Sequence, residues 1–312
     1  MALLLAGGAL WLGFRPWLRI LHRPAAVWVA AGLYGSLWIT LFYAGSAMPN
    51  HYSAMGATAA VGCLLAPRPR YAGVAAGLAV VTLMRPNDGV AVAVPLLMAA
   101  VLMPVLRDHG RLRGRLSAVV AGLVAGALPW VVEAEVRFGG VRNRLAEAGD
   151  VQGGLGAAFL VPYAAPRFLL PAYALLALPA AVGLLAVIHR ARTRRSLPTA
   201  AVLALALLGH WGLQADLVHT HASIQQRARG DWVRIASVLR EHGVHPPCVL
   251  AGNRSTIPIA HTAGCTVTET DPSAHPSAVV LREGKPPRWA RDWQRFPVPD
   301  TYNPGWTVVV PR

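Results

Sequence analysis

The stretch RLRGRLSAVVAGLVAGALPWVVE, residues 111–133, sets Arg111, Arg113 and Arg115 against an uncharged run that closes on Glu133. A membrane-crossing helix takes about 17 to 25 apolar residues, and the run 116–132 is long enough. Guanidinium groups accumulate in cytoplasmic connections, so the arginines mark an inner end and Glu133 an outer one. The same asymmetry recurs along the chain. Connections rich in arginine (15–23, 68–70, 107–115 and 190–195) alternate with connections that carry almost none (45–53 and 85–89). This alternation predicts a polytopic membrane protein and its orientation together.

Apolar runs are read at 2–14, 25–44, 52–66, 71–84, 90–106, 116–132, 168–188 and 198–217. The second, seventh and eighth runs reach spanning length comfortably, and the fifth and sixth are adequate. The third and fourth are short, and read either as thin spans or as a re-entrant pair. The expected fold class is mostly α: a transmembrane bundle of about eight apolar runs over residues 1–217, followed by a small extracytoplasmic α/β domain over 218–312. Within that tail, 230–241 predicts an amphipathic helix, with Trp232, Ile235, Val238 and Leu239 on one side. Short strands are predicted at 248–251, 266–268, 278–281 and 306–310, and a loop at 283–304. The first run lacks a basic flank before it, which argues against a signal peptide. The expectation is a chain that starts within a larger membrane protein.

Of 312 residues, 54% are hydrophobic and only 14% charged, below the quarter usual in soluble domains. Most of the net charge of +15 comes from arginines in short connections, not from a basic domain face, so nucleic acid is not an expected partner. Membrane lipids are. Cys63 falls in an apolar run. Cys248 and Cys265 fall in the tail, where a disulfide and a pair of buried thiols are both open readings.

Polar residues concentrate at the outer ends of the runs. Ser46-Ala-Met-Pro-Asn50-His51 reads as a turn with a helix cap, or as a polar cleft formed by Asn50 and His51. Arg85-Pro-Asn-Asp88 reads as an internal ion pair or as a ligand contact at the membrane surface. Glu133 follows an apolar run and needs a partner, which Arg137 can supply four residues on. Arg137, Arg142, Arg144 and Arg167 could gather a lipid phosphate, or simply face water and headgroups. The segment 133–167, with glycines at 153, 154 and 156, is expected to be a long loop. His210 and Gln214 share a helix face. His219 and His221 have metal-compatible side chains but lack companions at ligand spacing, so no metal is expected. No phosphate-binding loop, Ser/His/Asp set or CxxC occurs. No cofactor is expected, and a role for a divalent metal is left open.

Tyr43-Ala-Gly-Ser46-Ala-Met-Pro-Asn50-His51, followed by Leu83-Met84-Arg85-Pro86-Asn-Asp88, resembles the polytopic GT-C glycosyltransferases, specifically the family 22 mannosyltransferases. The likeness covers residues 25–140. Ser46 to Asn50 matches a motif that opens a helix on the luminal side, with Ala47 where the family carries a more polar residue. Met84-Arg85-Pro86 approximates a second motif. The resemblance implies transfer of a sugar from a polyprenyl-phosphate-linked donor to an acceptor at the outer face. It also implies an acidic motif in a first outer loop, whereas nothing before Asp88 is acidic here. Two expectations are open: the catalytic base lies on a missing N-terminal piece, or the chain is inactive as given. No catalytic residue is assigned. Asn50, His51, Arg85, Asp88 and Glu133 are the candidate substrate-binding residues, with Arg137, Arg142 and Arg144 near the lipid phosphate. The alternative reading is a non-catalytic scaffold whose outer domain binds a cell-envelope partner. A transporter ranks last, because the ionisable residues avoid mid-span. Oligomeric state is left open.

Overall fold

The computed structural model describes residues 2–44, 48–102, 109–152, 169–193, 197–252, 255–268 and 275–312, with the backbone alone described for 109–111 and 147–152. Ser46, Ala47, Arg107, Arg167, Arg194, Arg195, Asn253, Arg254 and the glycines at 153–156 lie outside the described residues. The chain divides into two compact units, Met1–Val218 and His219–Arg312.

The first unit is helical: α1 (Ala2–Phe14), a 3-10 turn (Arg15–Arg19), α2 (Pro24–Gly35), α3 (Trp38–Ala44), α4 (Asn50–Leu65), α5 (Tyr71–Met84), α6 (Pro86–Leu102), α7 (His109–Phe138), α8 (Val141–Gln152), α9 (Leu170–Thr193) and the start of α10 (Leu197–Glu241). Among the described residues three helices are long and apolar enough to cross a membrane: Leu112–Phe138, Leu170–Thr193 and Leu197–Glu241. A fourth is reached only if α2 and α3, bent by 76° at their junction, count as one span. These helices mark a membrane protein, with fewer full-length spans than the eight runs expected. The reason is length, since α1, α4, α5 and α6 have 13, 16, 14 and 17 residues. The run at 25–44 breaks at Ser36 and Leu37, directly after Gly35. The expected loop at 133–167 is corrected over residues 133–152, and the rest of it lies outside the described residues. Helix α7 continues to Phe138, stops at Gly139 and Gly140 with φ of +67° and +135°, and α8 follows. Glycine tolerates those left-handed angles and so ends the helix there.

Helix register in this unit is fixed by small residues, which let backbones approach. A methyl group added at Gly77 would lie 2.6 Å from the Gly56 carbonyl oxygen, and one at Gly73 would lie 2.5 Å from Cys63 Sγ. Helices α4 and α5 are therefore antiparallel. Gly114 meets the Tyr71 ring, Gly122 meets Ala75 and Leu78, and Gly126 meets Ala79 and Thr82, so α5 and α7 run parallel. Helix α1 runs parallel to α4, with Ala6 beside His51, Gly13 against Met55, and Trp17 Nε1 donating to Thr58 O at 3.0 Å. One end of this assembly thus carries Arg15, Arg19, Arg70, Arg113 and Arg115. The opposite end carries Asn50, Arg85, Asp88 and Glu133. The large apolar side chains Val120, Val124 and Leu128, four apart on α7, remain exposed, as lipid-facing residues do.

The second unit contains the C-terminal part of α10, then β1 (Val249–Gly252), α11 (Thr256–Ala263), β2 (Thr266–Val267), β3 (Ala278–Arg282), β4 (Gln294–Pro297) and β5 (Trp306–Val310). The sheet order is β2-β1-β3-β5-β4, with β1 parallel to β2 and β3, and β5 antiparallel to β3 and β4. Leu250, Ala278, Val280 and Val308 pack with Ile235, Leu239 and Ile259 on one face. Ala251, Val279, Leu281 and Val309 pack with Ala290, Trp289 and Trp293 on the other. Both faces are covered, which is why β3 reads as an unbroken apolar run rather than an alternation. Strand β4 falls inside the expected loop at 283–304. Cys248 and Cys265 form a disulfide, the first of the two readings left open.

Candidate functional site

The polar end of the first unit gathers residues from three helix termini. Pro49 starts α4, so Asn50 occupies its first turn. Helix α5 stops before Pro86, which cannot continue it and leaves Arg85 extended at φ −155° and ψ 102°. From there Arg85 Nη1 donates to Asn50 Oδ1 at 3.1 Å and pairs with Asp88 at 3.5 Å. Asp88 lies in the first turn of α6, where a negative charge is favoured by the helix dipole. Asn50 is buried, while Arg85 and Asp88 are each about one-third exposed. The structure thus brings three of the expected substrate-binding residues into one hydrogen-bonded group with a solvent-facing side.

His51 departs from expectation. It does not line a cleft but is buried between three helices. Its Nε2 lies 3.1 Å from Ala6 O, and its Nδ1 lies 3.2 Å from the Tyr34 hydroxyl. A carbonyl only accepts, so Nε2 carries a proton and donates to Ala6 O. The ring ties α1, α2 and α4 together. Its adjacency to Asn50 in sequence could not reveal this, because its partners lie 17 and 45 residues away.

A second cluster forms at the end of α7. Glu133 pairs with Arg137 at 3.5 Å, as its spacing predicts, and with Arg144 of α8 at 3.1 Å. The Arg144 guanidinium also lies 4.4 Å from the centre of the Phe138 ring and 5.9 Å from that of Trp130. Carboxylate and aromatic faces together hold it as a planar cation is best held. Arg142 is exposed and, among the described residues, joins no ion pair. Of the expected trio of arginines, Arg137 and Arg144 share Glu133 as a partner.

Gln214 was expected to share a face with His210. Its Oε1 accepts from the Trp38 backbone N–H at 2.7 Å, at the start of α3, so it serves a helix terminus. Among the described residues, no three His, Cys, Asp or Glu side chains come together as metal ligands. In the second unit, sequence reasoning missed Asp231. Buried on α10, it accepts from the Tyr302 and Asn303 backbone N–H groups at 2.6 and 2.9 Å and from Asn303 Nδ2 at 2.9 Å. A lone acid on an otherwise apolar helix face, next to Trp232, is the only signal that could have flagged it.

No protein-family model, no curated protein and no solved structure matches the chain.

Proposed function

We propose that the chain is a membrane glycosyltransferase of the GT-C kind, mannosyltransferase-like, moving a sugar from a polyprenyl-phosphate-linked donor to an acceptor at the outer membrane face. The observation that carries the reading is the convergence of Asn50, Arg85 and Asp88 at the end of the helical unit opposite the arginine-rich connections. With those connections cytoplasmic, the cluster faces outward. The disulfide in the second unit fits the same orientation, because such bonds persist outside the cytosol.

In the transfer, the bond from the anomeric carbon to the donor phosphate breaks as the acceptor oxygen bonds to that carbon. The acceptor proton passes to a carboxylate, and the polyprenyl phosphate leaves with the bonding electrons. A guanidinium beside the departing oxygen stabilises the charge that develops there. Arg85, part exposed, is the side chain suited to that task, and Asn50 and Asp88 hold it in place. The base is not assigned. The test is transfer of labelled mannose from polyprenyl phosphate in membranes containing the protein. Arg85→Ala and Asp88→Ala lose transfer, and Arg190→Ala keeps it. Normal transfer in both of the first two overturns the site.

A second reading has its own support. Arg85 and Asp88 pair with each other, and Glu133 has two arginine partners, so the carboxylate of each cluster is paired without a ligand. That pattern favours a non-catalytic scaffold. Absence of transfer by the unaltered chain, with retained binding to cell-envelope material, selects it.

A further inference from the structure

Helices α1, α4 and α5 enclose a groove of roughly 940 Å³ that the cluster at the polar end does not use. Its floor is built from small residues: Gly8 and Gly13 of α1, Gly56 and Ala59 of α4, and Ala76 and Gly77 of α5. Leu4, Leu5, Leu12 and Met84 are the exposed large side chains along it, and most of the lining is hydrocarbon. At 1.5 Å per residue, the 13 residues of α1 run for about 20 Å beside it. One leaflet of a bilayer is roughly 15 Å of hydrocarbon, so the groove is deep enough for one acyl chain.

Its two ends differ. Leu4, Tyr52 and Met84 close the end near Asn50 and Arg85. Arg15, Arg19 and Arg70 line the other. These three are brought together by specific contacts. Trp17, between Arg15 and Arg19, donates to Thr58 O at 3.0 Å and packs on Gly62. The Arg70 backbone N–H donates to Cys63 O at 3.1 Å, one residue on. Among the described residues none of the three arginines forms an ion pair, and no acidic side chain lines the groove. Residues 1–87, which include all three lining helices, contain no acid at all, so those helices supply no counter-charge. Three guanidinium groups at the mouth of a hydrocarbon slot complement an anionic headgroup on an acyl chain.

We infer that this groove holds an anionic membrane phospholipid, with its phosphate against Arg15, Arg19 and Arg70 and an acyl chain along the glycine and alanine floor. The occupant is not a sugar donor. A donor's phosphate must lie beside the sugar it delivers, and these arginines sit at the end of the helices opposite Asn50, Arg85 and Asp88. The inference stands apart from glycosyl transfer and needs only that the helical unit sits in a membrane.

The experiment uses the full chain in nanodiscs of equal phosphatidylglycerol and phosphatidylcholine, transferred to detergent and weighed by native mass spectrometry. Phosphatidylglycerol is retained in preference. Arg19→Gln lowers that retention roughly fivefold, as expected for one surface arginine facing an anionic lipid. Ala76→Phe places a ring in open groove space without touching an arginine, and lowers retention of both lipids. Arg190→Gln changes neither. Equal retention of the two lipids, or unaltered retention in Ala76→Phe, overturns the inference. So does displacement of phosphatidylglycerol by added polyprenyl phosphate, or a disulfide between two Ala76→Cys chains, which would put a second copy in the groove. Loss of transfer in Arg85→Ala bears on the other site alone.

Discussion

The two units differ in what they leave uncovered. The sheet-bearing unit hides large apolar side chains: Leu250, Ile259, Ile235, Val280 and Val308 are all essentially inaccessible. The helical unit buries Phe14, Tyr34, Leu78 and Leu170 as well, but it joins its helices over small residues and leaves many large apolar side chains exposed. Gly56, Gly77, Ala60, Ala54, Ala30 and Ala181 form its contacts, while Leu205 and Leu208 on α10 stand 68% and 70% exposed. In water the second arrangement would cost heavily, since exposed apolar area is the main thing folding removes. In lipid it costs nothing, and close backbone approach over small residues becomes the available source of attraction. The difference shows that one chain is built for two solvents.

Substitutions can break that comparison, and the largest effect belongs to the water-facing core. Leu250→Ala removes a buried side chain between β1 and the helices that cover it. It should destabilise the second unit by about 4 kcal/mol, read by thermal melting of the full-length protein with hydrogen exchange in β1 and β3 as the local probe. Replacing Cys248 and Cys265 by Ala opens a loop with a sequence separation of 17 and should cost about 3 kcal/mol by the same assay. A loss near zero would mean the disulfide does not form.

In the helical unit the sign reverses, and adding atoms does the damage. A Cβ at Gly126 would lie 2.5 Å from the Ala79 carbonyl oxygen, so Gly126→Leu must part α5 from α7. Overpacking of that kind costs about 2–3 kcal/mol, measurable as a lower unfolding temperature in detergent. The same change at Gly209, which has nothing within 4 Å, should be silent. Asp231→Ala comes next. It strips acceptors from the Tyr302 and Asn303 N–H groups and should cost about 2 kcal/mol, with faster exchange at those two amides. Leu208→Ala is the smallest. In lipid or detergent it should stay within about 0.5 kcal/mol, whereas a fall of the size expected for Leu250→Ala would show that α10 packs on protein at that point.

What the sequence disclosed follows from how local each determinant is. Helix α5 begins at Tyr71 and ends at Met84, where the apolar run does, because Arg70 and Pro86 bound it. The amphipathic face with Ile235 and Leu239 was legible for the same reason: its period is local. Boundaries failed where a breaker was assumed but not written. Residues 218–229 contain neither Gly nor Pro, so the last apolar run and the amphipathic helix fuse into one 45-residue helix. Glu133 to Phe138 likewise offers nothing to stop α7. Strand β4 escaped notice because it ends in Pro297 and is mostly exposed, as edge strands are. At the site, Arg85 with Asp88 and Glu133 with Arg137 were readable as three- and four-residue spacings. Arg85 with Asn50, Glu133 with Arg144, and His51 with Tyr34 were not, since each bridges separate elements.

The central claim is that a lipid-facing helical unit keeps its arginine end inside and sends its polar end and the sheet-bearing unit outside. The direct measurement is labelling of single cysteines by a membrane-impermeant maleimide. Arg113→Cys and Lys285→Cys, both exposed positions, are each tested in intact cells and in inverted vesicles. The account predicts that Lys285→Cys reacts in cells and Arg113→Cys only in inverted vesicles. Reaction of Arg113→Cys in intact cells, with Lys285→Cys protected there, would contradict it.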